Sequence, residues 1–142
     1  MTKSEQIKKS LSKTKKRRQL QNCKVFTIKV DKSHLSREKI SHLRRTFLET
    51  KWLYNFILSQ DNIFDFDSKL KSVEVLNKDK EKECRELIAL SSQMKQAIVD
   101  RTIQNIINLS KVKKKGKTVG KLKYKSVVNA VPLKQNNSTH TR

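Results

Sequence analysis

Hydrophobic residues near the start of the chain follow the two-residue spacing of a strand. From Val25 to Val30 the apolar positions alternate, with Phe26, Ile28 and Val30 on one face. This alternation predicts a strand with one buried face. Residues 1–22 are polar and nearly free of periodic apolar positions, which predicts a disordered or transiently helical arm.

A longer segment follows the spacing of a helix. Ser36 is the expected N-cap, because its hydroxyl can accept a hydrogen bond from the first turn, and Glu38 suits the positive start of a helix. The apolar positions recur at intervals of three, four and seven up to about Ser59, which makes this helix the best candidate for the core. They are Ile40, Leu43, Phe47, Tyr54, Ile57 and Leu58, and the stripe is widened by Trp52, Leu53 and Phe56.

The middle of the chain carries weaker signals. Residues 61–67 are typical of a turn, and residues 68–76 suggest a short helix that Asn77 interrupts. The mixed charges of residues 79–89 predict a second, exposed helix, on which Cys84 would lie.

A third helix is predicted from about residue 90 to Ser110, with Ser91 or Ser92 as its cap. The lysines and glycines of residues 111–120 then predict a flexible basic loop.

Two further strands are expected after this loop. Leu122 and Tyr124 alternate with lysines, and residues 127–133 form a second apolar run that is broken at Pro132. The pattern as a whole indicates an α+β fold that is mainly helical, with strands near both ends.

Composition points to a polyanionic partner. The chain has 142 residues, about one domain, with 34 Lys plus Arg against 13 Asp plus Glu and a net charge of +21. Such a charge favours RNA or DNA and, less strongly, an anionic membrane surface. No apolar run approaches the roughly 20 residues of a membrane span. Residues 1–10 lack the apolar core of a secretory signal, so we expect a cytoplasmic, reducing location.

The charge is concentrated at the two ends. Residues 1–24 hold nine basic residues and one acidic residue, residues 61–90 are net −2, and residues 101–142 hold eleven basic residues and no acidic one. This layout is typical of a small scaffold with two basic arms, although solvated tails are the alternative. The candidates for phosphate contacts in the first arm are Lys13, Lys15, Lys16, Arg17 and Arg18. On the first predicted helix, Arg44, Arg45 and Lys51 could lie along a phosphate backbone, or on a merely solvated face.

The sequence offers little for catalysis or cofactor binding. Its two cysteines have no Cys-x-x-Cys spacing and its three histidines are scattered, so no metal site is predicted. GxGxxG and GxxxxGK[ST] are absent, which argues against a nucleotide cofactor. No paired carboxylates or nucleophile with a base stand out, and we expect a protein that is not an enzyme.

Three stretches together resemble the N-terminal region of the OrfB (TnpB) proteins of insertion sequences, which are related to type V CRISPR effectors. The first is the strand beginning Lys24-Val25-Phe26 with the later Tyr54-Asn55 pair. The second is Leu90-Ser91-Ser92-Gln93 leading into a helix. The third is the Lys- and Gly-rich turn with Tyr124-Lys125-Ser126 behind it, continued by Val131 to Gln135.

The resemblance implies a wedge-like partial β-barrel with an inserted helical recognition lobe that grips guide RNA and its heteroduplex with DNA. Residues 24–32 and 118–135 would be barrel strands, and the helical insert would cover about 36–110. Residues 1–23 would be a disordered basic arm and 136–142 a disordered tail.

The chain departs from this family in one important respect. The family's cleavage chemistry lies in a downstream RuvC-like domain with three metal-binding carboxylates, and residues 101–142 contain no Asp or Glu. The resemblance therefore implies a module that binds guide-type RNA, and DNA as a further candidate, but does not cut. A separate chain carrying the nuclease domain is a candidate partner.

In the leading hypothesis, the second basic arm, within residues 101–142, contacts phosphates, and Tyr124 or Trp52 stacks on a base. For both rings, packing in the core is the favoured alternative. The competing function is non-specific RNA or DNA binding by a structural or compaction protein. The phosphate-binding candidates in this arm are Lys113, Lys114, Lys115, Lys117, Lys121, Lys123 and Lys125.

Overall fold

The computed structural model describes residues 2–22 and 24–134. The chain divides into two compact units, one up to His34 and one from Leu35 onward. Residue 23 of the predicted basic arm, residue 135 of the predicted barrel strand and the predicted tail at 136–142 lie outside the described residues.

The first unit contains one helix, α1 (Lys3–Gln19), where the sequence predicts a disordered or transiently helical arm. The Thr2 hydroxyl accepts from the amide of Glu5 at 3.3 Å, and the Thr2 amide donates to the Glu5 carboxylate at 2.8 Å. Basic residues occupy the last turn, where they complement the helix dipole. Capping and charge thus favour a helix that apolar periodicity does not indicate. None of its residues is buried.

The strand predicted at residues 25–30 does not form in this structure. These residues have no regular secondary structure, and Val25, Phe26, Ile28 and Val30 are 71–92% exposed. A strand needs a partner to satisfy its backbone groups, and no strand of the described residues pairs with this segment.

The second unit begins with α2 (Arg37–Ser59), which confirms the predicted helix. The Ser36 hydroxyl accepts from the amide of Lys39 at 3.3 Å, as expected of an N-cap. Leu53 and Ile57 are almost fully buried and form the centre of the core. A short 3-10 turn (Ile63–Asp65) follows within the predicted turn region.

A β-hairpin replaces the two short helices predicted for residues 68–89. β1 (Ser72–Leu76) pairs with β2 (Lys82–Glu86) in an antiparallel register that sets Val73 opposite Arg85. Cys84 therefore lies on an exposed strand position rather than on a helix. The Asn77 side chain accepts from two amides of the turn at 2.9 Å each, which favours the reversal over helix continuation.

The last helix is α3 (Ser92–Lys114), with Ser91 as its cap, as predicted. It continues four residues beyond the expected end at Ser110, so the predicted basic loop starts inside the helix. Gly116, with a φ of 77°, then turns the chain. The strands predicted within 118–135 do not form in the described part, residues 118–134, which are extended without ladder pairing.

The core lies where α2, α3 and the hairpin meet. The structure is α+β and mostly helical, with one two-stranded sheet among the described residues. The buried apolar cluster draws on both helices, the hairpin and the loop between β2 and α3, and partly buried Trp52 and Phe56 pack against it. Its members are Leu53, Ile57, Val73, Leu87, Leu90, Ile98 and Val99.

One carboxylate is enclosed within this unit. The Glu49 side chain is fully buried and accepts from the amides of Ile88, Ala89 and Leu90 at 2.8–3.1 Å. Arg45 Nε donates to it at 2.7 Å. Glu49 thereby satisfies a run of loop amides between β2 and α3 that no ladder or helix serves, because buried N–H groups need acceptors.

A buried lysine stands on α3. Lys95 Nζ donates to the carbonyl of Leu70 at 2.6 Å, which fixes the chain just before β1. Burial lowers the pKa of Lys95, and the negative charge of Glu49 opposes that shift. Two charged side chains thus link α2 and α3 to the loops that flank the hairpin.

We expect Glu49→Ala to destabilise the protein by about 3–5 kcal/mol, because the change leaves buried amides and the Arg45 guanidinium without their acceptor. Glu49→Gln keeps the shape and one acceptor oxygen and should cost less, about 1–3 kcal/mol. Urea unfolding followed by circular dichroism measures both.

The control is Glu38→Gln on the exposed first turn of the same helix, expected to change stability by less than about 1 kcal/mol. Equal unfolding midpoints for Glu49→Ala and the control variant would contradict the role assigned to Glu49.

Candidate nucleic-acid interface

An extended stretch, residues 117–134, which we call the C-terminal segment, runs over α2 and α3. Its main attachment is Asn55, whose amide group donates to the carbonyl of Lys125 at 2.9 Å and whose carbonyl accepts from the amide of the same residue at 2.8 Å. This side chain therefore gives the segment the pair of hydrogen bonds that a neighbouring strand would give.

Tyr54, the residue before Asn55, makes two further contacts with the C-terminal segment near Lys125. The Lys125 ammonium lies 4.3 Å from the centroid of the Tyr54 ring, within the range of a cation–π contact. The Tyr54 hydroxyl donates to the carbonyl of Lys123 over a long 3.5 Å. Burial raises the pKa of Tyr54, so the phenol stays neutral and keeps this proton.

The far end of the segment is held by charge. Lys134 Nζ lies 3.1 Å from the carboxylate of Asp100 on α3. Hydrogen bonding from Gln96 and then from Lys134 lowers the pKa of Asp100, so the carboxylate is ionised at neutral pH. Asp100 is the last acidic residue of the sequence and is already paired.

The C-terminal segment leaves a groove of about 340 Å³ against α2 and the end of β1, which we call the Trp52 groove. Its apolar walls include Trp52, Phe56 and Val75, and its basic and aromatic rim includes Tyr124 and Lys125. Lys51 and Glu74 also line it, and Lys82 lies 3.5 Å from the Glu74 carboxylate.

A second groove of about 420 Å³ lies on the other side of the segment, between α2 and α3. Arg101 and Asn105 of α3 line it together with Lys125. Lys125 therefore lines both grooves.

Most of the predicted phosphate-binding residues are exposed. The five candidates on α1, among its eight basic residues, belong to the first unit. Lys113 and Lys114 lie in the last turn of α3, Lys115 caps that helix, and the remaining lysines lie on the C-terminal segment. In the second unit, the structure brings Lys51, Tyr124 and Lys125 together around the Trp52 groove.

Arg45 makes contacts within the protein that its sequence pattern does not indicate. It donates to Glu49 and to the carbonyl of Glu86, and its guanidinium lies 5.0 Å from the centroid of the Trp52 ring. Arg85 lies 5.4 Å from the same centroid. These contacts make Arg45 part of the packing, whereas its neighbour Arg44 is exposed.

The two candidate stacking rings also differ. Trp52 is half-buried against the core, in line with the packing alternative, whereas Tyr124 is 66% exposed and does not pack in the core. The contribution of Val75 and Leu76 to the groove was not predicted, because the sequence pattern of that region indicates a helix. The role of Asn55 was not predicted either, and its one signal in the sequence is its position beside Tyr54.

Comparison of the chain with models of protein families, with curated proteins and with solved structures finds no match. Within residues 2–22 and 24–134, no helix combines the length and the apolar character needed to cross a membrane. Nor do three or more His, Cys, Asp or Glu side chains in this part of the chain gather as a metal site would require.

We expect Asn55→Ala to release the C-terminal segment, because one side chain provides both hydrogen bonds to Lys125. Hydrogen exchange at the Lys125 amide should accelerate about 5- to 100-fold, since each lost hydrogen bond is worth roughly 0.5–1.5 kcal/mol. Exchange measured by NMR or mass spectrometry checks this.

Asn108→Ala on the exposed face of α3 is the matched control and should leave that amide unchanged. Unaltered exchange at Lys125 in Asn55→Ala would show that other contacts hold the segment.

Proposed function

We propose that this protein binds RNA, with the end of α3 and the C-terminal segment as its principal contact surface. The observation that carries the proposal is a series of exposed lysines with no acidic residue among them. Between Lys111 and Lys134 there is no acidic residue. The nearest acidic residue along the sequence, Asp100, forms an ion pair with Lys134. A surface of this kind attracts phosphates and releases their counterions.

The geometry of the run supports an extended ligand rather than a compact one. Lysines at alternate positions 121, 123 and 125 are all exposed on a segment without regular secondary structure that follows α2, so they present charge at successive points along it. Ammonium groups contact phosphates as point charges and carry no sequence information.

We further propose that the chain corresponds to the N-terminal part of an OrfB/TnpB-like RNA-guided nuclease, with α2, the hairpin and α3 as the recognition lobe. In this proposal the bound RNA is of the guide type, and cleavage belongs to a separate chain. Residues 24–32 and 118–134 would form barrel strands only when that partner supplies strands to pair with them.

The contact surface is tested by replacing four lysines at once. Changing Lys113, Lys114, Lys115 and Lys117 to Gln should weaken RNA binding and lower the slope of log K against log salt by up to about 3, since each phosphate contact on a single strand contributes about 0.7. Filter binding or fluorescence anisotropy over a salt series gives the slope.

The matched control changes Lys69, Lys71, Lys78 and Lys80, which are exposed and near the hairpin, so net charge falls equally. Equal losses in the two variants would mean that only total charge matters, and would contradict a defined surface.

The identity of the ligand is tested by purifying the full chain from its native host with the nucleic acid that it carries, sequencing that RNA, and competing it against unrelated RNA at several salt concentrations. One dominant structured RNA with a retained specificity ratio supports the guide-binding proposal. A mixture of ribosomal and messenger fragments, displaced equally by any RNA, would support non-specific binding instead.

A further inference from the structure

We propose that the Trp52 groove holds one unpaired nucleotide of single-stranded RNA, with its base against the Tyr124 ring and its phosphate at Lys51 and Lys125. The inference rests on the RNA-binding function proposed above and adds a defined subsite to it. The groove is the place in the second unit where an exposed aromatic ring, an apolar wall and two lysines meet.

The walls of the groove suit the flat face of a base. Phe56 and Val75 form an apolar surface, and Leu76 at the end of β1 is 67% exposed beside it. Tyr124 stands at the rim with 66% of its surface exposed, although large aromatic side chains usually bury more. A base placed between this ring and the apolar wall would cover both.

Trp52 is a less suitable stacking partner than Tyr124. Two guanidinium groups, those of Arg45 and Arg85, already lie within 5.4 Å of its ring centroid. Its indole is therefore engaged with cations from the protein itself. It still lines the groove, and as the single tryptophan of the chain it reports on whatever enters.

The charges around the groove favour an anionic ligand. Lys51 from α2 and Lys125 from the C-terminal segment both line it. Glu74 is the one acidic residue among the lining residues, and its charge is offset by Lys82 at 3.5 Å. The net field therefore attracts a phosphate, while the apolar wall favours a base over an inorganic anion.

The size of the groove restricts the ligand to about one nucleotide. Its volume of about 340 Å³ is at the lower end of the range for small-molecule sites, roughly 300–1,000 Å³. Only an unstacked base can enter, because both faces of a base in a duplex are covered by its neighbours. Single strands are held by such aromatic platforms together with basic grooves.

The test uses the full chain, a ten-nucleotide oligouridylate and a duplex RNA of equal length, with Trp52 fluorescence and anisotropy read in parallel. The oligouridylate should change Trp52 fluorescence at saturation, and the duplex should bind without this change. Tyr124→Leu should raise the Kd for the oligouridylate about 5- to 100-fold and abolish the fluorescence change, whereas Tyr124→Phe should retain both.

Two further variants separate the parts of the site. Phe64→Leu removes an aromatic ring that is 70% exposed and does not line the groove, and it should leave binding and fluorescence change unaltered. Lys51→Gln should weaken binding and lower the salt slope by about 0.7, with the fluorescence change at saturation preserved.

The outcomes distinguish this inference from the function on which it rests. If Tyr124→Leu binds oligouridylate as tightly as the unchanged protein and gives the same fluorescence change, the nucleotide site is overturned and RNA binding stands. If the unchanged protein binds neither RNA at moderate salt, both proposals fail. Circular dichroism confirms that each variant remains folded.

Discussion

The second unit depends on the buried carboxylate of Glu49. A loop of consecutive amides between a strand and a helix cannot be buried without acceptors, and this side chain supplies them from α2. The contact fixes where α3 begins relative to α2. Apolar side chains of both helices then pack together in the buried cluster. Because Arg45 shares the carboxylate and also lies over Trp52, the same arrangement sets the position of the indole beside the groove.

The candidate interface is built outward from this rigid centre. Trp52, Tyr54 and Asn55 follow Glu49 on α2, so the helix that encloses the carboxylate also anchors the C-terminal segment. The hairpin contributes the opposite wall, with Val75 held in the register that the turn at Asn77 defines. Stability and binding are therefore assigned to different residues of the same helix, and substitutions at the exposed lysines should leave the core intact.

The sequence predicted the parts of the fold that local signals decide. Serine caps and apolar periodicity located α2 and α3, because both effects act within a few residues. The hairpin was missed since its five-residue strands carry mixed charges that are equally typical of an exposed helix, and only packing of Val73 against α2 resolves the choice. The exposed lysines could be foreseen from charge alone. The groove could not, because it depends on three separated segments meeting, and Glu49 was overlooked because a lone acid on a helix is usually solvated.

The attachment of the C-terminal segment through Asn55 has a consequence for how the protein can change over generations. Asn55 hydrogen-bonds to main-chain atoms of Lys125, so these two hydrogen bonds place no demand on the side chain at that position beyond the presence of an N–H group. Apart from proline, any residue can occupy position 125 without losing them, and only the contact with the Tyr54 ring depends on the lysine side chain. The chemistry displayed at position 125 is thus free to diverge while the hydrogen-bonded attachment to α2 is preserved.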